Sequence, residues 1–384
     1  REMTVLILSC NNGGGHNSVA TALREAFEAE GHVCEIADTL SFLSRGCSKV
    51  VAGVHSGVYR HAPDLFRAGY RHTERHRVMF QPGHRARRIL DLGVGRLAAC
   101  IRDSRFDAVV CTHVFAATML TDAVRRHGLR VTTGVVETDY TNTPGVEASE
   151  LDWYFVPSPV HRLTLSELGV PEEKIVASGI PVRRQMFVHH SQEEARRALG
   201  LDPARRQLLV VSGSMGCGPI PELIEAVLAK KDEDLDVTVA CSTNERLRKE
   251  LTERYIGRKD VHVLGHVEDM SLLMDTADVY LTKPGGISTT EAAVKGLPLV
   301  LMNTVGGCES YNLQFFQRAG AAWSGESVEQ LADAAVCLGR SAALRERLKE
   351  GLTVIASGNR VERIVQAMTC RQKSPDLPNG ENLV

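Results

Sequence analysis

The sequence predicts an α/β protein of two doubly wound, Rossmann-like domains that face a common cleft. Three observations carry that reading. Short apolar runs of strand composition alternate with helical patterns along nearly the whole chain. Two of the strands run into glycine-rich loops, at 11–18 and 212–219, each opening its own βα series. A third turn reads Lys283-Pro284-Gly285-Gly286-Ile287-Ser288-Thr289-Thr290-Glu291. It joins the strand pattern 277–282 to a helical run that Gly296 ends.

That third turn lies at the carboxyl edge of a parallel sheet, where ligands bind. Gly285 and Gly286 remove side chains where the backbone would approach a ligand. Ser288, Thr289 and Thr290 set hydroxyls beside the free N–H groups and positive dipole end of a helix, a phosphate-binding arrangement. Glu291 then sits in the first turn, where a carboxylate can accept two hydrogen bonds from a vicinal diol such as ribose. The plainer reading is a capped βα turn with a first-turn Glu.

At 384 residues the chain is long enough for two ordinary domains. Its 45 basic and 47 acidic residues leave a net charge of −2, so no overall electrostatic case for nucleic acid exists. No apolar run reaches the length of a membrane span. A strand pattern, Val5-Leu6-Ile7-Leu8, begins almost at once, which argues against a signal peptide. The 10 cysteines are scattered and form no C-x-x-C pair, so zinc and redox motifs are absent. Their spread suits a reduced, cytosolic protein.

Taken in order, residues 4–38 read β-loop-α-β. Val19, Leu23 and Phe27 give the helix its apolar spacing, and Gly31 ends it. The loop admits two functional readings. Gly13, Gly15 and Ser18 with Asp38 fall near a dinucleotide fingerprint, though Ser holds the third position. Alternatively, His16 sits where the loop enters the helix, and the dipole there disfavours imidazolium. A neutral imidazole is a candidate general base. A surface histidine in a glycine-rich turn is the bland alternative.

Residues 45–105 change character. They hold 13 Lys or Arg against 4 Asp or Glu, with apolar and aromatic residues interleaved. Arg60, Arg67, Arg71, Arg75 and Arg77 lie in this stretch. A basic, partly amphipathic segment in a nearly neutral protein suits an anionic membrane surface, each basic residue contributing on the order of 1 kcal/mol. A solvated helical face is the alternative.

Strand and helix patterns then resume. Strands are expected at 108–112, 130–136, 153–158 and 175–181, with helices at 116–127 and 163–168. Asp139 follows the 130–136 strand and reads either as catalytic or as an Asx turn. Residues 182–206 read as a polar linker with a helix capped at Ser191. The second series brings strands at 207–211, 236–241, 261–264, 277–282 and 298–302. The loop 303–312 carries Gly306, Gly307, Cys308, Glu309 and Asn312, and helices from 327 to about 367 close the fold. The expected division is 1–181, a linker at 182–206, a second domain at 207–354, a returning helix at 355–370 and a tail at 371–384.

Taken together these motifs resemble the GT-B glycosyltransferases of the group holding bacterial processive diacylglycerol glucosyltransferases and plant monogalactosyldiacylglycerol synthases. The resemblance spans about residues 4 to 365. It rests on the Gly-Gly-Gly-His loop ending at His16, Thr138-Asp139, the 212–219 loop, Gly265-His266-Val267, Lys283-Pro-Gly-Gly, Thr290-Glu291-Ala292, and Glu309 with Asn312. It implies inverting transfer of glucose or galactose from a UDP-hexose to diacylglycerol at the cytoplasmic face of a membrane. The second domain would hold the donor: the Val267 backbone on uracil, Glu291 on ribose, and Glu309 and Asn312 on the hexose. Gly213, Ser214, Met215 and Gly216, with Gly285, Gly286, Ile287, Ser288 and Thr289, would hold the diphosphate, and Lys283 would also belong to the donor site. The first domain would take the lipid, with Gly14, Gly15 and Asn17 in its loop, and His16 or Asp139 would be the base. Neither cofactor nor metal is implied, since helix dipoles and backbone N–H groups would stabilise the leaving diphosphate.

The chain departs from that pattern at three places. Cys308 stands where an amide is usual, Tyr140 to Gly145 replace a His-Pro-aromatic run, and Cys10-Asn11-Asn12 precede the first loop. Other readings on the same fold are a UDP-N-acetylglucosamine transferase with another lipid-linked acceptor, a UDP-sugar epimerase and a nucleotide-sugar sensor.

Overall fold

The computed structural model of the chain describes residues 1–10, 14–43, 81, 84–211, 218–303 and 307–370. The first half supplies β1 (Thr4–Ser9), α1 (Gly14–Ala29), β2 (Val33–Asp38), α2 (Arg85–Asp103), β3 (Ala108–Cys111), α3 (Val114–His127), β4 (Thr132–Val136), β5 (Trp153–Val156), α4 (Pro159–Glu167) and β6 (Ile175–Ala177). After α5 (Gln192–Ala198) the second half supplies β7 (Arg206–Val211), α6 (Ile220–Ala229), β8 (Leu235–Ala240), α7 (Glu245–Arg254), β9 (Val261–Leu264), α8 (Met270–Asp275) and β10 (Val279–Thr282). It ends with α9 (Gly286–Lys295), β11 (Leu299–Met302), α10 (Cys308–Arg318), β12 (Ala322–Gly325), α11 (Val328–Arg340), α12 (Ala342–Ser357) and α13 (Val361–Thr369).

The strands form two six-stranded sheets, ordered β2-β1-β3-β4-β5-β6 and β12-β11-β10-β7-β8-β9, and every pairing is parallel. Helices cover both faces of such sheets, so central strands read as continuous apolar runs. All six residues of β8 are buried, and all but the first of β1. Edge strand β2 is largely exposed. Strand β12 is absent from the sequence reading. Its four residues, Ala-Trp-Ser-Gly, carry little local strand signal, and only pairing with β11 makes them a strand.

Each sheet reverses its winding once, and the crevice at that switch point is the favoured ligand position. In the first sheet the reversal lies between β1 and β3, where α1 begins. In the second it lies between β7 and β10, whose ends are tied by Thr282 Oγ1 donating to the Val211 carbonyl at 3.4 Å.

The chain crosses between halves twice, side by side. Gly179 adopts φ +74°, and a Cβ there would meet Asn359 Cα and the Gly358 carbonyl at 2.9 Å, so glycine is required at this crossing. Asn359 Nδ2 donates to Ile180 O at 2.6 Å, and Arg360 N to Ser178 O at 2.7 Å. Helix α13 then lies on the first sheet, with Met368 against Gly134. The 182–206 stretch divides in two. Ser191 and Glu194 form a capping box on α5. Buried Arg196 bonds Thr276 O and Asp278 of the second half, so α5 belongs to that half and the true connection is short.

Candidate active site

The carboxyl edges of the two sheets meet at the first turn of α9. Gly285 caps this helix with extended backbone. Thr289 Oγ1 donates to the Gly285 carbonyl at 2.7 Å and Thr290 Oγ1 to the Gly286 carbonyl at 2.6 Å. Both threonines are buried, so their hydroxyl protons serve the helix itself. Ser288 and Gly285 remain part-exposed, while Lys283 and Ile287 are buried.

Because α9 starts at Gly286, Glu291 is its sixth residue, in the second turn rather than the first. The helix starts earlier than the sequence suggests, because the Thr289 and Thr290 hydroxyls bond back along it and do not cap it. Glu291 is buried, and Arg183 lies 3.6 Å from its carboxylate. Burial pushes its pKa up to about 7, and the Arg183 charge works against that rise.

Gly286 makes the close approach expected of it, but to the other domain. A Cβ there would fall 2.0 Å from the Thr138 carbonyl oxygen and 2.9 Å from Asp139 Oδ1. The 138–140 turn, at the carboxyl end of β4, is therefore pressed onto the start of α9. Tyr140, also buried, places its hydroxyl 2.7 Å from Thr290 Oγ1. Since the Thr290 proton already goes to Gly286 O, Tyr140 is the donor in that pair. Its ring stacks on Phe315 of α10 at 4.4 Å and meets Phe316 edge-on at 5.2 Å.

Asn312, expected on the hexose, has no exposed surface. Its Oδ1 accepts from Tyr140 N at 2.7 Å, and its Nδ2 donates to Asp139 Oδ1 at 2.8 Å and to Pro284 O at 2.9 Å. Both donors of the amide are thus committed, which leaves none for a sugar hydroxyl. Burial, then the Asp139 and Glu309 charges, push the Cys308 thiol well up, so it stays protonated. Glu309 follows in the first turn of α10, part-buried.

On the first-domain side, α1 begins at Gly14, so the backbone of Gly14, Gly15 and His16 forms its first turn. The placement of the His16 side chain lies outside what is described. Asn17 accepts from Ser9 Oγ at 3.1 Å, tying the helix to the end of β1. Asp38 accepts from Leu40 N at 3.1 Å and caps the turn 39–42. Buried Glu137 closes the loop after β4 by accepting from Thr143 Oγ1 at 2.8 Å. Burial pushes its pKa up to about 7, with the Thr143 bonds opposing. Val267 is half-buried in the loop after β9. Gly213, Ser214, Met215 and Gly216 lie outside the described residues, as do Arg60, Arg67, Arg71, Arg75 and Arg77.

Sequence reasoning did not single out Arg183, Glu137 or Phe315. Arg183 lies in the stretch beyond β6, beside the crossing between the halves, which is where a residue can reach the other domain. Its partner is far away in sequence, so no local pattern marks it.

Residues 16–182 match the family described as monogalactosyldiacylglycerol (MGDG) synthase, and residues 191–352 match glycosyl transferases group 1. Among curated relatives, the processive diacylglycerol beta-glucosyltransferase of Bacillus subtilis (strain 168) is 27% identical over 394 residues, covering 97% of this chain and 98% of that protein. The protein of the same name from Bacillus cereus (strain AH187) is 28% identical over 324 residues, covering 83% of this chain and 81% of its own length. Among solved structures, MurG of Acinetobacter baumannii superposes with TM-score 0.60 at 13% identity over 96% of this chain and 99% of that one. Anabaena Alr3699/HepE in complex with UDP-glucose gives 0.58 at 15% identity, over 96% and 98%.

Two parallel-sheet domains meeting at their carboxyl edges, with a group 1 match on the second, define a GT-B glycosyltransferase. Its first half carries the MGDG synthase match, and along nearly its whole length the chain is similar to the processive diacylglycerol beta-glucosyltransferase of Bacillus subtilis.

Proposed function

We propose that the chain transfers a hexose from a UDP-sugar to diacylglycerol, with inversion, at an anionic membrane surface. The observation that carries this is the junction at Gly286. It sets the free N–H groups of α9, which suit a diphosphate, directly against the 138–140 turn of the half that matches the MGDG synthase family. In the reaction the diacylglycerol hydroxyl attacks C1 of the hexose from the face opposite UDP. The C1–O bond to the diphosphate breaks, UDP leaves with the electron pair, and the hydroxyl proton passes to a base. His16 is assigned that proton, and Asp139 is the competing base. The start of α9 stabilises the charge on the departing diphosphate. Ionised Glu291 accepts from the ribose hydroxyls, while Val267 meets the uracil and Glu309 the hexose.

The membrane reading is supported by α2. Ile89 (60% exposed) and Leu92 (71%) share a solvent face with exposed Arg88 and Arg96, two apolar anchors flanked by cations. Among the described residues no helix is long and apolar enough to cross a membrane. The relatives' name is glucosyl, whereas the family description is galactosyl. Supplying UDP-glucose and UDP-galactose separately and following UDP release, with and without diacylglycerol vesicles, tests the reading and identifies the donor. Acceptor-dependent release from one donor supports it. Equal release with and without acceptor would count against diacylglycerol.

A further inference from the structure

We propose that Asn312 is a positioning residue, which reaches across the cleft to fix the Asp139 carboxylate and the 138–140 turn against the start of α9. The position demands one acceptor, for Tyr140 N, and two donors, for Asp139 Oδ1 and Pro284 O. Among side chains of this size only a primary amide offers that set: Asp has no donors and Leu has neither. Cys308 lies one turn earlier on the same face of α10, and its buried thiol stays protonated, so that it adds no charge beside that carboxylate. Gly286 leaves the space that the Asn312 bond to Asp139 needs. One helix of the donor domain thus commits an amide to a single group of the acceptor domain. Glu309, between Cys308 and Asn312 in sequence, belongs to that helix's first turn. The donor's sugar end and the carboxylate across the cleft are therefore held in one geometry, not brought together by each encounter.

The inference rests on the transferase reading, and the experiment separates the two. Asn312→Asp keeps the shape and the acceptor for Tyr140 N but turns both donors into lone pairs facing oxygens. With UDP-hexose and diacylglycerol vesicles, kcat should fall about 100-fold, the scale of a small misplacement at a reacting centre, while KM for UDP-hexose moves less than about 3-fold. A raised KM at unchanged kcat would mean that the amide binds the sugar directly, and it overturns the proposal. So does a variant with both constants unchanged. A second measurement covers poor folding of the variant. The exchange Asp139→Asn with Asn312→Asp restores a donor–acceptor pair across the cleft. Its thermal midpoint should recover at least about half of the loss shown by Asn312→Asp alone. An exchange that unfolds no later than the single variant overturns the pairing. If the wild type makes no glycolipid and releases no UDP, the transferase reading fails, and the unfolding comparison still decides whether Asn312 holds Asp139.

Discussion

The Arg183 guanidinium lies 3.6 Å from the Glu291 carboxylate, and it reaches there from the crossing between the two halves. Burial pushes Glu291 up to about 7 while Arg183 restrains it. In the proposed role Glu291 accepts two ribose hydroxyls, for which the ionised carboxylate is the stronger acceptor. The KM for UDP-hexose is therefore expected to fall as pH rises from about 6 to about 8. In Arg183→Met the same fall should move to higher pH, because the lost cation had been lowering the pKa. An unshifted profile in the variant would separate Arg183 from Glu291.

The same raised pKa affects stability. An unfolded Glu titrates near about 4.3, so over the window from there to about 7 the folded chain keeps a proton that the unfolded chain has lost. The stabilisation is complete below the unfolded value and is lost as pH rises through about 7. Glu137 titrates in the same window. Urea unfolding of the wild type should show this decline, and Glu291→Gln should show only the part due to Glu137. An equally steep decline in the variant would contradict the assignment.

Gly286→Ala places a methyl group 2.0 Å from a backbone oxygen of the other domain. Neither backbone can turn away as a side chain would. The expected cost is about 1–3 kcal/mol in chemical unfolding, accompanied by loss of transfer. A variant as stable and as active as the wild type would deny the contact.

Tyr140 and Thr290 form an asymmetric pair. Tyr140→Phe removes the donor but leaves Thr290 bonded to Gly286 O, so about 1 kcal/mol should be lost. Thr290→Val instead strands a buried phenol and should cost about 1–3 kcal/mol. The double variant should be no less stable than Thr290→Val. Additive losses would show that the hydroxyls do not interact.

His16 and Asp139 are separated by their expected losses. If His16 takes the acceptor proton, His16→Ala lowers kcat by about 100- to 10,000-fold with the donor KM retained, as removal of a general base does. A loss of that size in Asp139→Asn, with a mild effect in His16→Ala, would reverse the roles.

Much of the fold was legible because it is written locally. Apolar runs, glycine stops such as Gly296 and the Ser191 cap each depend on neighbours a few residues away. Strand β12 was not legible, since its four residues owe their form to β11. Gly286 illustrates the limit most sharply. Its need for a close approach could be read from the turn, but what approaches is Thr138, a partner set by how two domains meet. The same holds for Asn312. Its presence in a donor motif pointed to a sugar, whereas its hydrogen bonds run to Asp139, Tyr140 and Pro284. Arg183 carried no local mark.

The most direct test of the central claim is the lipid product. The chain would be incubated with UDP-glucose or UDP-galactose and anionic vesicles containing diacylglycerol, and the lipids read by mass spectrometry. The account predicts diacylglycerol shifted by one or more hexose units with one of these donors, and no shift in Glu291→Ala. Vesicles left unchanged with both donors, with no UDP released, would contradict it.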